Sequence, residues 1–393
     1  MTMPTEPCEI RLAAELDDIA AAGLTRRRRV LASPCGRLAA VDGRELLNFA
    51  SNDYLGLAGN RDIAQAVADG ALAWGAGSGA SHLVSGHLAP HEAIEAELAT
   101  FTGFERALTF STGYLANLAV TPTFAGRGDA VFADKLNHAS LIDAMQLAKA
   151  NGADVQRYPH GDVAALERLL AASTARTKLI VTDSVFSMDG DLAPLPLLFL
   201  LAERYDAWLV IDDAHGFGVL GPHGEGALAH FNLPAAKRIL LMGTLGKAAG
   251  VGGAFVAGSA LAIEYLLQKG RSYIFTTAAP PAIACGLARS LELIRGGDAL
   301  RANLFTRIGQ LRDGLAGLRW PLLPSATAIQ PLIVGDNEAA VALAKVLWER
   351  GLWVPAIRPP TVPKGTARLR ISVSAAHTAD DIERLITTLK ELA

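Results

Sequence analysis

A chain of 393 residues, 51% of them hydrophobic, can bury a large core, and two domains, or one large and one small, are the expectation. A formal net charge of −3 argues against a nucleic-acid partner, and the three scattered cysteines, Cys8, Cys35 and Cys285, can build neither a disulfide framework nor a metal knuckle, which fits a reducing cytosol. The first 23 residues carry acids where a signal peptide needs a basic start, and the most apolar window, Leu192 to Ala202, holds two prolines and is too short for a bilayer, so a soluble, cytoplasmic protein without a membrane partner is expected.

Residues Glu9 to Ala22 have helical spacing of apolar positions and stop at Gly23; the run Arg26 to Arg29 follows. Glu45 to Phe49 reads as a strand leading into the polar turn SNDYLGL (Ser51–Leu57), then a helix from Arg61 to Trp74. GAGSGASHLVSGH, Gly75 to His87, has four glycines that permit close backbone approach, and a helix spans His91 to Thr100. Ala107 to Phe110 is a short strand, and STGYLANLAV after it opens a helix, so Ser111 to Tyr114 sit at a strand-to-helix turn with free N–H groups, a ready phosphate site. A strand at Ala130–Ala133 places His138 at the mouth of the next helix, where it is either a helix cap or a group stacked on a flat ring.

Alternation continues through Ala153–Arg157, a helix capped by Asp162, the strand KLIVTD (Lys178–Asp183), the loop SVFSMDGD and a helix from Pro196 to Tyr205. Trp208–Ile211 and Ile239–Met242 are runs apolar on both faces, which suits buried strands of a mostly parallel sheet. They end in Asp212-Asp213 with His215, and in Thr244 with Lys247, at the strand ends where α/β sheets bind ligands. A lysine able to form a Schiff base beside an acid able to keep a ring nitrogen protonated are the two groups that pyridoxal 5'-phosphate (PLP) requires. A strand at Val251–Gly258, a helix at Ala260–Lys269 and an extended Ile274–Pro281 precede a long helix. From about Arg289 the pattern becomes α+β. The expected division is an N-terminal helix and arm at 1–50 packing with the small domain, a large domain at 51–287 and a small domain at 288–393. A phosphate loop at GTLGKAAG fails on spacing, and a metal site on Asp212 and Asp213 fails because adjacent strand residues face opposite ways, so no metal is expected.

Together SNDYLGL, GSGASHLVSG, NHASLIDA, VFSMDGD, IDDAHGFGVLG, GTLGK and RPPTVPKGTARLRISVSAAHT, spread over residues 51–377, resemble the α-oxoamine synthases, PLP enzymes of fold type I. The resemblance implies a large domain with a mostly parallel sheet flanked by helices, a smaller α+β C-terminal domain and a homodimer with active sites at the interface. It implies decarboxylative condensation of an amino acid with an acyl thioester; the C-terminal motif favours L-alanine and a pimeloyl group on coenzyme A or acyl carrier protein, with glycine and a short acyl-CoA as the alternative. Lys247 would carry PLP, Asp212 would pair with the pyridinium, His215 would meet the phenolic oxygen, His138 would stack on the ring and Ser187 would lie beside it. Thr244 with the Gly113–Tyr114 backbone would hold the phosphate, and Thr276 or Thr277 would reach the phosphate of the partner subunit's cofactor. Asn52 and Arg358 would bind the amino-acid carboxylate; Arg26 and Thr361 match positions near the acyl substrate. Departures from the family pattern are Ala50, Phe217, Leu245 and Ala248-Ala249, of which Phe217 and Ala248 are expected to reshape the pocket.

Overall fold

A computed structural model describes residues 8–393; residues 1–7, part of the expected N-terminal arm and of the stretch tested for a targeting signal, lie outside them. The chain forms strands β1 (Leu38–Val41), β2 (Arg44–Asn48), β3 (Arg106–Phe110), β4 (Ala130–Asp134), β5 (Asp154–Tyr158), β6 (Lys178–Asp183), β7 (Ala207–Asp212), β8 (Ile239–Thr244), β9 (Ala254–Gly258), β10 (Ile329–Gly335), β11 (Leu352–Trp353), β12 (Ala356–Ile357) and β13 (Ala367–Ser372).

Seven of these make the main sheet in the order β3-β9-β8-β7-β6-β4-β5. Its pairings from β8 to β5 are parallel, and β9 alone runs antiparallel to both neighbours. Helices on both faces explain why the central strands are apolar without alternation. Ile180, Leu209, Ile211 and Leu241 fall into one buried cluster, while Leu179, Val181, Val210 and Leu240 fall into another on the opposite face. The carboxyl ends of β6, β7 and β8 therefore emerge side by side, with Asp183 in register with Asp212.

Two three-stranded sheets complete the fold, β1-β2-β11 and β10-β13-β12. β1 and β2 are a hairpin closed by Asp42 and Gly43, both with positive φ (49° and 77°), the geometry a two-residue hairpin turn demands. β2 also pairs in parallel with β11, so the N-terminal arm is stitched to the last hundred residues of the chain. The helix Pro281–Arg295 runs unbroken through residues 287 and 288. It packs closely on the helix Arg61–Trp74: a Cβ on Gly70 would stand 2.8 Å from Cys285 Cβ, so only glycine fits there.

The segment expected to be extended from Ile274 differs. A short helix, Arg271–Ile274, comes first, and pairing begins only at Thr277, which bridges to Ser81. Gly270 ends the preceding helix and restarts the next, a break that a run of apolar residues does not reveal.

Candidate active site

Lys247 sits three residues beyond β8, and its Nζ lies 3.0 Å from His215 Nε2. His215 Nδ1 is 2.6 Å from the hydroxyl of Tyr54, which itself donates to Asn52 Oδ1 at 3.1 Å. Because the tyrosine spends its hydrogen on Asn52, His215 Nδ1 is the donor to Tyr54 and Nε2 offers its lone pair to Lys247. Asn52 Oδ1 also accepts from Arg370 Nη1 at 3.1 Å. One chain of hydrogen bonds thus runs from the lysine to an arginine on β13.

Burial and the neighbouring Lys247 hold the His215 imidazole well below its ordinary pKa, which agrees with the neutral tautomer just assigned. Burial also lowers Lys247 to about 8, against an opposing pull from Asp212. The amine is therefore poised to be neutral near physiological pH.

Asp212, at the end of β7, is 3% exposed. Its oxygens receive the Asn117 side-chain amide at 2.7 Å and the backbone N–H of Ala214 at 3.0 Å. Among the described residues no cation lies within ion-pair distance of it. A buried carboxylate with only neutral donors is poorly compensated, and a protonated ring nitrogen is the kind of partner that completes it. Asn117 continues to Ser140 Oγ (2.9 Å), and Ser140 Oγ lies 2.7 Å from His138 Nδ1. The backbone N–H of Ser140 also points at Nδ1 (3.3 Å), so that nitrogen accepts and Nε2 carries the hydrogen. Burial depresses the His138 pKa, keeping the ring neutral, and its face is open to the cleft. Asp183, wholly buried beside Asp212, is raised well above the usual carboxylate range by desolvation first and then by that neighbour, and it accepts the His138 backbone N–H at 2.8 Å.

These groups open on a cavity of about 610 Å³ walled by, among others, Asn52, His138, Ser187, His215, Lys247 and Arg370. Gly113 begins the helix Gly113–Phe124, capped by Thr112, and a Cβ on it would stand 3.8 Å from Thr244 Oγ1, so the helix N-terminus and Thr244 share one corner. Tyr114 is 40% exposed with its hydroxyl on Asp143. Thr276 and Thr277 wall none of this cavity; Thr277 pairs with the glycine-rich segment at Ser81. Thr361 does wall it. Lysine, acid, neutral imidazoles and a helix N-terminus fit the needs of PLP.

One arginine is not where the sequence put it, and a second, not singled out in the sequence, faces the lysine instead. Arg358, expected at the amino-acid carboxylate, walls no part of the Lys247 cavity, because its guanidinium donates to the carbonyl of Gly23 and lines a neighbouring pocket with Arg26. Arg370 occupies the expected place, fixed by bonds to Ser187 O (2.6 Å) and Ser372 Oγ (2.9 Å). Of the family departures, Ala50 lines the cavity. Phe217 instead packs edge-on against Phe255 and Phe101, and Ala248 is buried against the Gly218 turn; neither reaches the cavity.

Elsewhere, His82, His87 and His91 lie close enough together to hold a metal. His91, however, spends both ring nitrogens on backbone, accepting from Leu88 N–H at 3.0 Å and contacting Ala279 O at 2.9 Å, and we read the group as structural.

The model for aminotransferase class I and II matches residues 44–389. The 8-amino-7-oxononanoate synthase of Dechloromonas aromatica (strain RCB) is 84% identical over 385 residues, 98% of this chain and 100% of that one. A solved structure of SPT with a PLP internal aldimine is 29% identical with a TM-score of 0.90, covering 97% of this chain and 96% of that chain. The 8-amino-7-oxononanoate synthase structure from Francisella tularensis is 30% identical with a TM-score of 0.76, covering 88% of this chain and 97% of that chain.

Proposed function

The chain belongs to the class I and II aminotransferase family, to its fold type I PLP enzymes and, within them, to the 8-amino-7-oxononanoate synthases, and from that premise we propose how its own residues carry the reaction of biotin biosynthesis: L-alanine and a pimeloyl thioester give 8-amino-7-oxononanoate, carbon dioxide and free thiol. The observation that carries this assignment is the junction of Lys247, His215 and the buried, cation-free Asp212 at neighbouring strand ends.

PLP, when bound, supplies the electron sink that stabilises negative charge at Cα. Lys247 would hold it through Nζ, Asp212 would keep the ring nitrogen protonated, and the lone pair of His215 Nε2 would accept a hydrogen bond from the ring hydroxyl. His138 covers a ring face and Ser187 lies beside the ring. Thr244 with the N–H groups of Gly113 and Tyr114 takes the phosphate, and Thr276 or Thr277 takes that of the partner subunit, which makes the dimer obligatory.

Arg370, with Asn52 beside it, binds the alanine carboxylate; a guanidinium fork fixes which Cα bond is presented for cleavage. The Lys247 amine, lowered to about 8 by burial, is a base matched to the Cα proton. His138, neutral with its Nε2 hydrogen directed at the cleft, donates to the thioester carbonyl oxygen as charge grows there. Arg26 and Thr361 lie on the acyl side.

We further propose the division 1–50, 51–287 and 288–393, with the long helix joining the last two, and a cytoplasmic location. No helix among the described residues is long and apolar enough to cross a membrane.

The test is thiol release with alanine or glycine, each offered pimeloyl-CoA, pimeloyl carrier protein or acetyl-CoA. Alanine with a pimeloyl donor should win by at least about tenfold in kcat/KM. A preference for glycine with acetyl-CoA would transfer the chain to the glycine C-acyltransferase type.

A further inference from the structure

Two buried side chains on different helices tie the Asp212 carboxylate to the His138 ring, and the reaction as proposed above gives neither of them a task. Asn117, wholly buried on the helix Gly113–Phe124, spends both amide hydrogens: one on Asp212 Oδ2 (2.7 Å), the other on Ser140 Oγ (2.9 Å). Ser140, 1% exposed in the first turn of the helix Ala139–Ala150, lies 2.7 Å from His138 Nδ1. Asn117 Oδ1 has no hydrogen-bond partner among the described residues. An orphaned buried carbonyl is costly, and a fold that keeps one is serving another requirement there, in this case the two bonds made by the nitrogen end.

The direction of each hydrogen follows from what each group can do. A carboxylate only accepts, so the amide turns its nitrogen, not its oxygen, toward Asp212. The second amide hydrogen then reaches Ser140 Oγ, which accepts it and has one hydrogen left to give. The acceptor within reach is His138 Nδ1, at which the Ser140 backbone N–H also points (3.3 Å). With Nδ1 accepting, the ring hydrogen stands on Nε2; the opposite tautomer would set a lone pair against the thioester carbonyl oxygen. Asp183 holds the His138 backbone N–H at 2.8 Å, so the residue is fixed at its root as well. We propose that Asn117 and Ser140 are positioning residues for the acyl-transfer step: Asn117, oriented by Asp212, aims the Ser140 hydroxyl at His138 Nδ1 and so keeps the Nε2 hydrogen directed at the carbonyl. This rests on the reaction proposed above and adds to it two residues that wall none of the Lys247 cavity. Their duties differ. Asn117 serves both the acid at the ring nitrogen and the carbonyl donor, whereas Ser140 serves the donor alone.

The experiment compares two rates of the holoenzyme. One is thiol release from pimeloyl-CoA at saturating alanine. The other is exchange of the alanine Cα proton in deuterium oxide without acyl donor, which needs Lys247 and Asp212 but no group at the carbonyl. In Ser140→Ala, kcat/KM for pimeloyl-CoA should fall about tenfold, because the Nε2 hydrogen is no longer fixed against the growing charge, while Cα exchange stays within about twofold. Ser140→Cys keeps a weaker donor in nearly the same volume and should fall between. Asn117→Ala also strips Asp212 of its amide donor and should slow both rates. In holoenzyme carrying isotope-labelled histidine, nitrogen NMR of the His138 ring, identified by its loss in His138→Asn, should place the hydrogen on Nε2; this reading needs no variant to turn over. Equal losses of thiol release and exchange in Ser140→Ala, unchanged thiol release there, or hydrogen on Nδ1 in the unaltered enzyme overturns the proposal. An unaltered enzyme that exchanges alanine yet releases no thiol from pimeloyl-CoA overturns the proposed reaction instead, and is seen before any variant is made.

Discussion

Lys247, in the turn after β8, and Arg370, on β13, are joined by a continuous run of hydrogen bonds through His215, Tyr54 and Asn52. The base for Cα and the anchor for the carboxylate are thereby held at a fixed separation, which is what orienting one Cα bond against the base requires. Replacing Arg370 by Gln should raise the KM for alanine about ten- to hundredfold, the worth of a charge-assisted pair, with the KM for the acyl donor unchanged. Arg370→Lys should recover little, since a point charge cannot make the fork and also hold Ser187 O. Alanine titrations followed by the cofactor's absorbance measure this directly, with a melting curve to separate loss of binding from loss of fold. An unaltered alanine affinity would remove Arg370 from the site.

The general architecture was legible because it is local. Apolar runs at Leu179–Val181, Trp208–Ile211 and Ile239–Met242 suit strands covered on both faces, and their polar ends mark the ligand edge. Other features had a signal that went unread. The Asp42-Gly43 pair is a hairpin turn by composition, yet β1 was not expected. Arg368 and Arg370 are two residues apart on a wholly buried strand, so they share a face, and two buried arginines on one face need partners such as Asp189 and Asn52. Asn117 is a lone amide on the buried side of an apolar helix, and its contact with Asp212 crosses 95 residues of sequence. What could not be read is Arg358 against Arg370: both stand in one motif, and only the Gly23 carbonyl, more than three hundred residues away, decides which faces the lysine.

The apoenzyme should capture free PLP with a pH profile set by Lys247, because only the unprotonated amine condenses with an aldehyde. With the amine lowered to about 8 from the ordinary 10.5, the capture rate should fall about tenfold per unit below pH 8 and level off above it. Burial is the main cause of the lowering and the Asp212 charge opposes it, so Asp212→Asn should move the midpoint to still lower pH while weakening retention of the cofactor. Stopped-flow absorbance across pH 6–10 reads both. A midpoint near 10 in the unaltered protein would mean the amine is solvated and not poised as a base.

His160 should make stability pH-dependent on the alkaline side. Its Nδ1 lies 3.0 Å from Asp134 Oδ1 and its Nε2 lies 2.8 Å from Asp191 Oδ2, with the ring edge-on to Phe186 at 4.4 Å. Asp191 closes the loop that carries Ser187 and Met188 into the cavity, so the imidazolium clips that loop to the end of β4. The hydrogen bonds to Asp134 and Asp191 raise its pKa from 6.5 to about 10 in the fold. A folded value above the unfolded one means the protonated form stabilises: the contribution is complete below pH 6.5 and is lost as pH climbs from there through 10. His160→Gln should therefore lower the urea midpoint at pH 6 and converge on the unaltered protein near pH 10, with the exposure of the ring to solvent keeping the difference modest. Equal midpoints at pH 6 would show that the two carboxylates hold the loop without the charge, and that the clip contributes packing alone.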